Sequence, residues 1–94
     1  MICHIVFWKL KEEHKQENVA VMKERLEALV GVVPGLLDAS VGYNDNGGDY
    51  DAALVSHLES KEALDGYAVH PAHMAVKEFV HTVAIARESV DFEM

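Results

Sequence analysis

Tyr67-Ala68-Val69-His70-Pro71-Ala72-His73 holds the end of one helix and the start of the next. Proline has no N–H to donate and its φ is already helical. Pro71 therefore suits the first position of a helix and drives the residue before it out of helical geometry. His70 reads as a junction or capping residue rather than a catalyst. Downstream, Val76, Phe79, Val80 and Val83 recur at three- and four-residue spacing. They form one buried stripe of a helix running from Pro71 to about Ile85, and His73 shares its phase. Upstream, Ala63, Leu64, Tyr67 and Ala68 form the matching stripe of a short helix, Lys61 to Ala68, with Ser60 as its N-cap. The Tyr67 phenol and the His73 imidazole thus face apolar surroundings from adjoining helices. Buried groups of that kind find hydrogen-bond partners or line a cavity.

On both sides of this broken helix the pattern changes to strands. Ile2-Cys3-His4-Ile5-Val6-Phe7-Trp8 is rich in β-branched and aromatic residues and largely apolar on both alternating faces, as in a strand covered from two sides. A helix follows from about Glu12 to Val30, with Val19, Met22, Leu26 and Leu29 inward and Gly31 as its stop. Leu36 to Tyr43 alternates as a second strand. Asn44-Asp45-Asn46-Gly47-Gly48-Asp49 is turn chemistry and leads into a third strand, about Asp51 to Glu59. Arg87 to Phe92 is the last.

The order is βαββαβ with its second helix broken. Right-handed crossovers fold that order into a four-stranded antiparallel sheet with the helices on one face, an α+β, ferredoxin-like arrangement forming a single domain over residues 1–94. Ile5, Phe7, Val55, Val90 and Phe92 then fall on the uncovered face. An apolar patch of that kind marks an interaction surface, so a homodimer packed through its sheet faces is expected.

Composition narrows the function. Sixteen acidic side chains against eight basic ones give a net charge of −8, and no cluster of Lys and Arg forms a stripe. Nucleic acid is therefore not an expected partner, and anionic membranes would repel the chain. No apolar run reaches the length of a membrane span and no leader pattern opens the chain, so a soluble, cytoplasmic protein is expected. Cys3 stands alone and reads as a small hydrophobe in a strand. His70 and His73 have the spacing of a helical ligand pair but no further ligands at suitable positions, so no metal site is expected.

The opening His4-Ile5-Val6-Phe7-Trp8-Lys9-Leu10-Lys11, the Val33-Pro34-Gly35 turn, Ala53-Leu54-Val55-Ser56 leading to Glu59-Ser60, the segment from Tyr67 to His73, and Val90-Asp91-Phe92 together resemble the stress-responsive α/β-barrel (Dabb) domain. The specific piece is Tyr-x-x-His-Pro-Ala-His at this place in this element order. The resemblance spans essentially the whole chain and implies a dimeric α/β barrel of ferredoxin-like subunits. It implies two kinds of role: stress-associated proteins, and polyketide cyclases that close a ring by an aldol-type reaction without a cofactor. In the cyclase branch the pocket lies within each subunit, between sheet and helices. Its acid–base residues correspond to Tyr67 and His73, with an aspartate at the position of Asp91 beside the histidine and a strand-one histidine matching His4. The chain departs from that branch at Ala52, which stands where the cyclase has another histidine. Met22, Val76 and Ala84 replace bulky lining aromatics.

An imidazole with a pKa of about 6.5 can take a proton from a carbon acid near neutral pH if a partner fixes its tautomer. In the last strand Ser89 and Asp91 alternate with Val90 and Phe92. With the apolar pair toward a partner subunit, Asp91 faces the helices and is the expected orienting group for His73. Tyr67 would donate to the carbonyl or enolate oxygen. The first-turn position of His73 favours neutral imidazole, since the positive end of the helix dipole opposes protonation. The wall in contact with substrate is expected from His4, Val6, Trp8, Met22, Leu54 and Val76. The expected function is cofactor-free acid–base chemistry on a small carbonyl or polyketide-like compound, of the aldol cyclase or lyase type. The alternative is a non-catalytic stress-response or small-ligand-binding dimer in which Tyr67, His73 and Asp91 form a closed hydrogen-bonded network. A solvent-connected cavity touched by Tyr67 and His73 favours the first.

Overall fold

A computed structural model describes residues 1–94. The chain runs β1 (Ile2–Leu10), α1 (Lys15–Glu27), β2 (Leu36–Tyr43), β3 (Ala52–Leu58), α2 (Lys61–Val69), α3 (Pro71–Val83) and β4 (Ala84–Glu93). The strands form one antiparallel sheet in the order β2-β3-β1-β4, the ferredoxin-like topology expected from the element order.

Alternation along β1 sorts the two faces of the sheet. His4, Val6, Trp8 and Leu10 are buried toward the helices, opposite Ser56, Leu54 and Ala52 of β3 and beside Leu26 and Met22 of α1. Phe7, Val55, Val90 and Phe92 lie on the other face, each between 41% and 57% exposed, so an uncovered apolar surface does run across three adjacent strands. Cys3 is buried among the strands, as a small hydrophobe would be.

Element ends moved where tertiary bonds competed with local periodicity. Helix α1 begins at Lys15 rather than Glu12, because His14 takes a left-handed conformation (φ 53°) and Lys15 is drawn to Asp51 at 3.2 Å and Glu12 at 2.8 Å. It ends at Glu27 rather than Val30. Tighter turns follow, in which Leu29 N–H donates to Leu26 and Val30 N–H to Glu27, and these carry Leu29 and Val33 inward. Strand β4 starts at Ala84, where a longer helix was expected, since Ala84 pairs with Leu10 at the end of β1. In β2 a bulge between Leu36 and Asp38 lets Leu36 and Val41 both face the core and turns Leu37 outward. Glu27 and Lys23 of α1 bond the Val41 N–H and carbonyl, blunting that edge strand.

Gly35 sits where α2 meets the turn before β2. Its φ is +80°, its carbonyl accepts from Glu59 N–H at 2.9 Å, and a Cβ there would lie 2.5 Å from the Ala63 Cβ. Gly35→Ala is therefore expected to lower stability by about 1–3 kcal/mol through backbone strain alone, with the Ala63 clash adding to it. A urea melt showing no shift in midpoint would contradict this account of the turn.

Candidate active site

The broken helix positions the site. Ser60 Oγ accepts from Ala63 N–H and starts α2; His70 then takes an extended conformation (ψ 134°) that ends α2 and begins α3 at once. Its Nδ1 accepts from Ala72 N–H at 3.1 Å, so His70 is the capping residue expected from its place before proline. Met74 N–H closes the first turn on the His70 carbonyl.

Across this joint the rings of Tyr67 and His73 stack, with centroids 4.1 Å apart and planes 26° from parallel. Tyr67 is only 3% exposed. His4, from the centre of the sheet, meets Tyr67 edge-on with centroids 5.9 Å apart. Asp91 of β4 stands directly opposite His4 in the strand register, and its carboxylate bonds His4 Nδ1.

These groups line a cavity of about 590 Å³ between the sheet and the α2–α3 pair, a size within the range of small-ligand sites. Exposed Lys61, His81 and Arg87 stand at its rim. The cavity opens where the helix-facing positions of β4 turn polar, although Ala84, Ile85 and Ala86 at the start of that strand also line it. Val6, Trp8 and Leu54 of the sheet pack into the core under α1 and at the same time form the apolar wall of the cavity. On β4 the helix-facing positions are Arg87, Ser89 and Asp91, polar groups that keep contact with solvent.

Electrostatics follow burial. Desolvation pushes the Tyr67 phenol up to about 12, against a smaller downward pull from Arg87, so the hydroxyl stays protonated at neutral pH. Burial also moves His73 below the ordinary 6.5 of an imidazole, helped by Lys77 and His4, while the backbone of Ala68 and Tyr67 pulls the other way. His73 Nδ1 is sealed from solvent with no hydrogen-bond partner. Neither His73 Nε2 nor the Tyr67 hydroxyl has a protein partner, and neither is sealed, so both are open to a ligand.

Of the residues expected at the site, His4, Val6, Trp8, Leu54, Tyr67, His73, Val76 and Asp91 all line the cavity. Two expectations are corrected. Met22 is fully buried in the core between α1 and the sheet and does not reach the cavity. Asp91 does not orient His73: the antiparallel register places it beside His4, which takes its carboxylate. Lys77 and Arg87, which the sequence reading passed over, also line the cavity. Their signal was available, since Lys77 follows His73 by one helical turn and Arg87 shares the parity of Asp91.

The lowered pKa of His73 has a stability consequence. Its unfolded value lies above its folded one, so the unfolded chain binds more protons between the two, and stability falls as pH drops from about 6.5 toward the folded value. His73→Phe should remove that part of the acid sensitivity. Thermal melts of both proteins from pH 7 downward check this, and parallel curves would show that His73 does not titrate as described.

The chain matches the Stress responsive A/B Barrel Domain family over residues 2–94. No curated protein matches it. It is similar to a dimeric protein of unknown function with a ferredoxin-like fold from Bacteroides fragilis, at 28% identity and TM-score 0.91, over 99% of this chain and 95% of that one. A dimeric ferredoxin-like protein of unknown function from Thermobifida fusca gives 24% identity and TM-score 0.86, over 99% and 90%. A hydroxynitrile lyase from Passiflora edulis shares the fold at 15% identity and TM-score 0.83, over 97% and 90%. With the family matched across nearly its full length and the fold in agreement, this chain belongs to the stress-responsive A/B barrel (Dabb) domain family.

Proposed function

We propose that this protein is a cofactor-free acid–base enzyme acting on a small, largely apolar carbonyl or polyketide-like compound, with chemistry of the aldol cyclase or lyase type. The observation that carries the reading is the pairing of a phenol and an imidazole, stacked at 4.1 Å, whose free polar atoms open into a 590 Å³ cavity. A closed structural network would have bonded them to each other or to Asp91.

In this reading His73 is the base. Burial and the positive end of the α3 dipole keep its imidazole neutral, and Nε2 is the accessible nitrogen. It takes a proton from the carbon next to a carbonyl. Tyr67 stays protonated and donates a hydrogen bond to the carbonyl oxygen as charge develops there. When the enolate carbon attacks a second carbonyl of the same substrate, the alkoxide formed recovers the proton from the imidazolium, so no redox partner is needed. Asp91 acts through His4: it holds the His4 ring, which packs T-shaped against the Tyr67 ring. Val6, Trp8, Leu54 and Val76 supply the apolar wall.

The protein is read as a homodimer joined through the open sheet faces. Exposed Phe7, Val55, Val90 and Phe92 support this, as do the dimeric relatives of the same fold. The cavity is on the opposite side of the sheet, so each subunit holds a complete site. A cytoplasmic setting belongs to the same proposal, in keeping with a single free cysteine.

Against a panel of β-dicarbonyl compounds, His73→Ala is expected to lose about 10²–10⁴-fold in kcat/KM and Tyr67→Phe about 10²–10³-fold. The wild-type profile should fall only below the usual imidazole range on the acid side and stay flat up to the phenol's value of about 12. A folded His73→Ala protein with unchanged rates would leave a binding dimer as the better description. In sedimentation the wild type should run as a dimer at micromolar concentration, and Val55→Asp should shift it toward monomer. A wild-type monomer contradicts the sheet-face interface.

A further inference from the structure

The chain carries twice as many acidic as basic side chains, yet the cavity does not share that balance. Its lining holds Lys61, Lys77 and Arg87 against only Asp65 and Asp91. Both carboxylates are already engaged, Asp91 by His4 and Asp65 by Lys61 at 3.9 Å. Lys77 forms no ion pair or hydrogen bond with the protein, and Arg87 makes a single long hydrogen bond, to Ser89 Oγ at 3.4 Å. Elsewhere Lys15 and Lys23 are paired with carboxylates, Lys9 and Lys11 bond backbone carbonyls, and Arg25 lies over the Phe79 ring. The two cations with the least to do therefore face the same space.

They face it from opposite walls. Lys77 is half-buried on α3, one turn beyond His73. Arg87 projects from β4 on the helix side of the sheet, opposite Trp8. Each is near enough to act electrostatically on one member of the reactive pair, Lys77 on His73 and Arg87 on Tyr67. An anion held between them would sit in the cavity mouth, with the apolar wall and the phenol–imidazole pair beyond it.

We propose that the cavity selects substrates with an anionic end, a carboxylate anchored between Lys77 and Arg87 while the reacting carbonyl reaches Tyr67 and His73. This rests on reading the cavity as a substrate site, and it adds the class of substrate. A carboxylate accepts charge-assisted hydrogen bonds from both an ammonium and a guanidinium, whereas a neutral isostere accepts weaker ones. Selection of an anion by a protein of net charge −8 requires a local field opposed to the global one.

Binding tests this without turnover. Hexanoate and hexanamide share length and apolar surface and differ in charge. Titrated into the whole protein at low salt, hexanoate should bind about tenfold tighter than hexanamide, and it should move the Tyr67 and His73 ring resonances. Lys77→Gln and Arg87→Gln should each remove most of that preference while hexanamide binding is retained. Lys61→Gln, whose lysine is paired with Asp65, should keep it. Equal binding of the two probes, no binding of hexanoate, or a preference that survives in both variants overturns the proposal. Because the readout is affinity, an inactive but hexanoate-selective protein would defeat the enzymatic reading alone, and an active protein indifferent to charge would defeat this inference alone.

Discussion

One proline determines where the chemistry-bearing groups meet. In an unbroken helix Tyr67 and His73 would lie about 9 Å apart along the axis and roughly 120° apart around it, too far and too divergent to touch. Pro71 forbids that continuation, and His70, pushed out of helical geometry, makes a joint held by its N–H donating to the Tyr67 carbonyl and its imidazole accepting from Ala72 N–H. The last turn of α2 and the first turn of α3 are folded toward each other, and the two rings stack at 4.1 Å. The joint depends on two neighbouring residues, and the site depends on the joint.

The second constraint is the division of labour across the sheet. One antiparallel sheet has two faces, and here each is used differently along its width. Beneath α1 the inner face is apolar and the core closes over Met22, while Val6, Leu26 and Leu54 belong both to that core and to the cavity wall. At β4 the same face turns polar, packing stops, and the unfilled volume is the cavity. The outer face keeps its apolar residues on three strands, where a second sheet can cover them. Strand alternation directs neighbouring residues to opposite sides, so the exposed apolar surface is kept apart from the core and the cavity.

Leaving polar atoms unpaired in a protein interior is costly, and His73 Nδ1 is such an atom. The cost is tolerated next to a cavity, where the companion nitrogen and the Tyr67 hydroxyl retain access to solvent or ligand. The same partial burial shifts the two groups in opposite senses, phenol up and imidazole down. Both shifts favour the neutral form, so a hydrogen-bond donor and an acceptor stand side by side at the cavity.

Much of this was legible in the sequence, because it depends on local periodicity. The three-and-four spacing of Val76, Val80 and Val83, the alternation of β1, the cap at Ser60 and the break at Pro71 are short-range signals, and they led to the element order, the ferredoxin-like sheet and the inward phase of Tyr67 and His73. The partner of Asp91 was not legible. Parity alone says that Asp91 faces the helices, but only the long-range register, which sets it opposite His4, decides which imidazole takes its carboxylate. Met22 likewise has the phase of a core residue whether or not a cavity lies above it, and the packing of α1 seals it away. The bulge at Leu36 and the short α1 arise from bonds between distant segments. Local pattern fixes which way a side chain points; which atom it meets there depends on strands brought together from opposite ends of the chain.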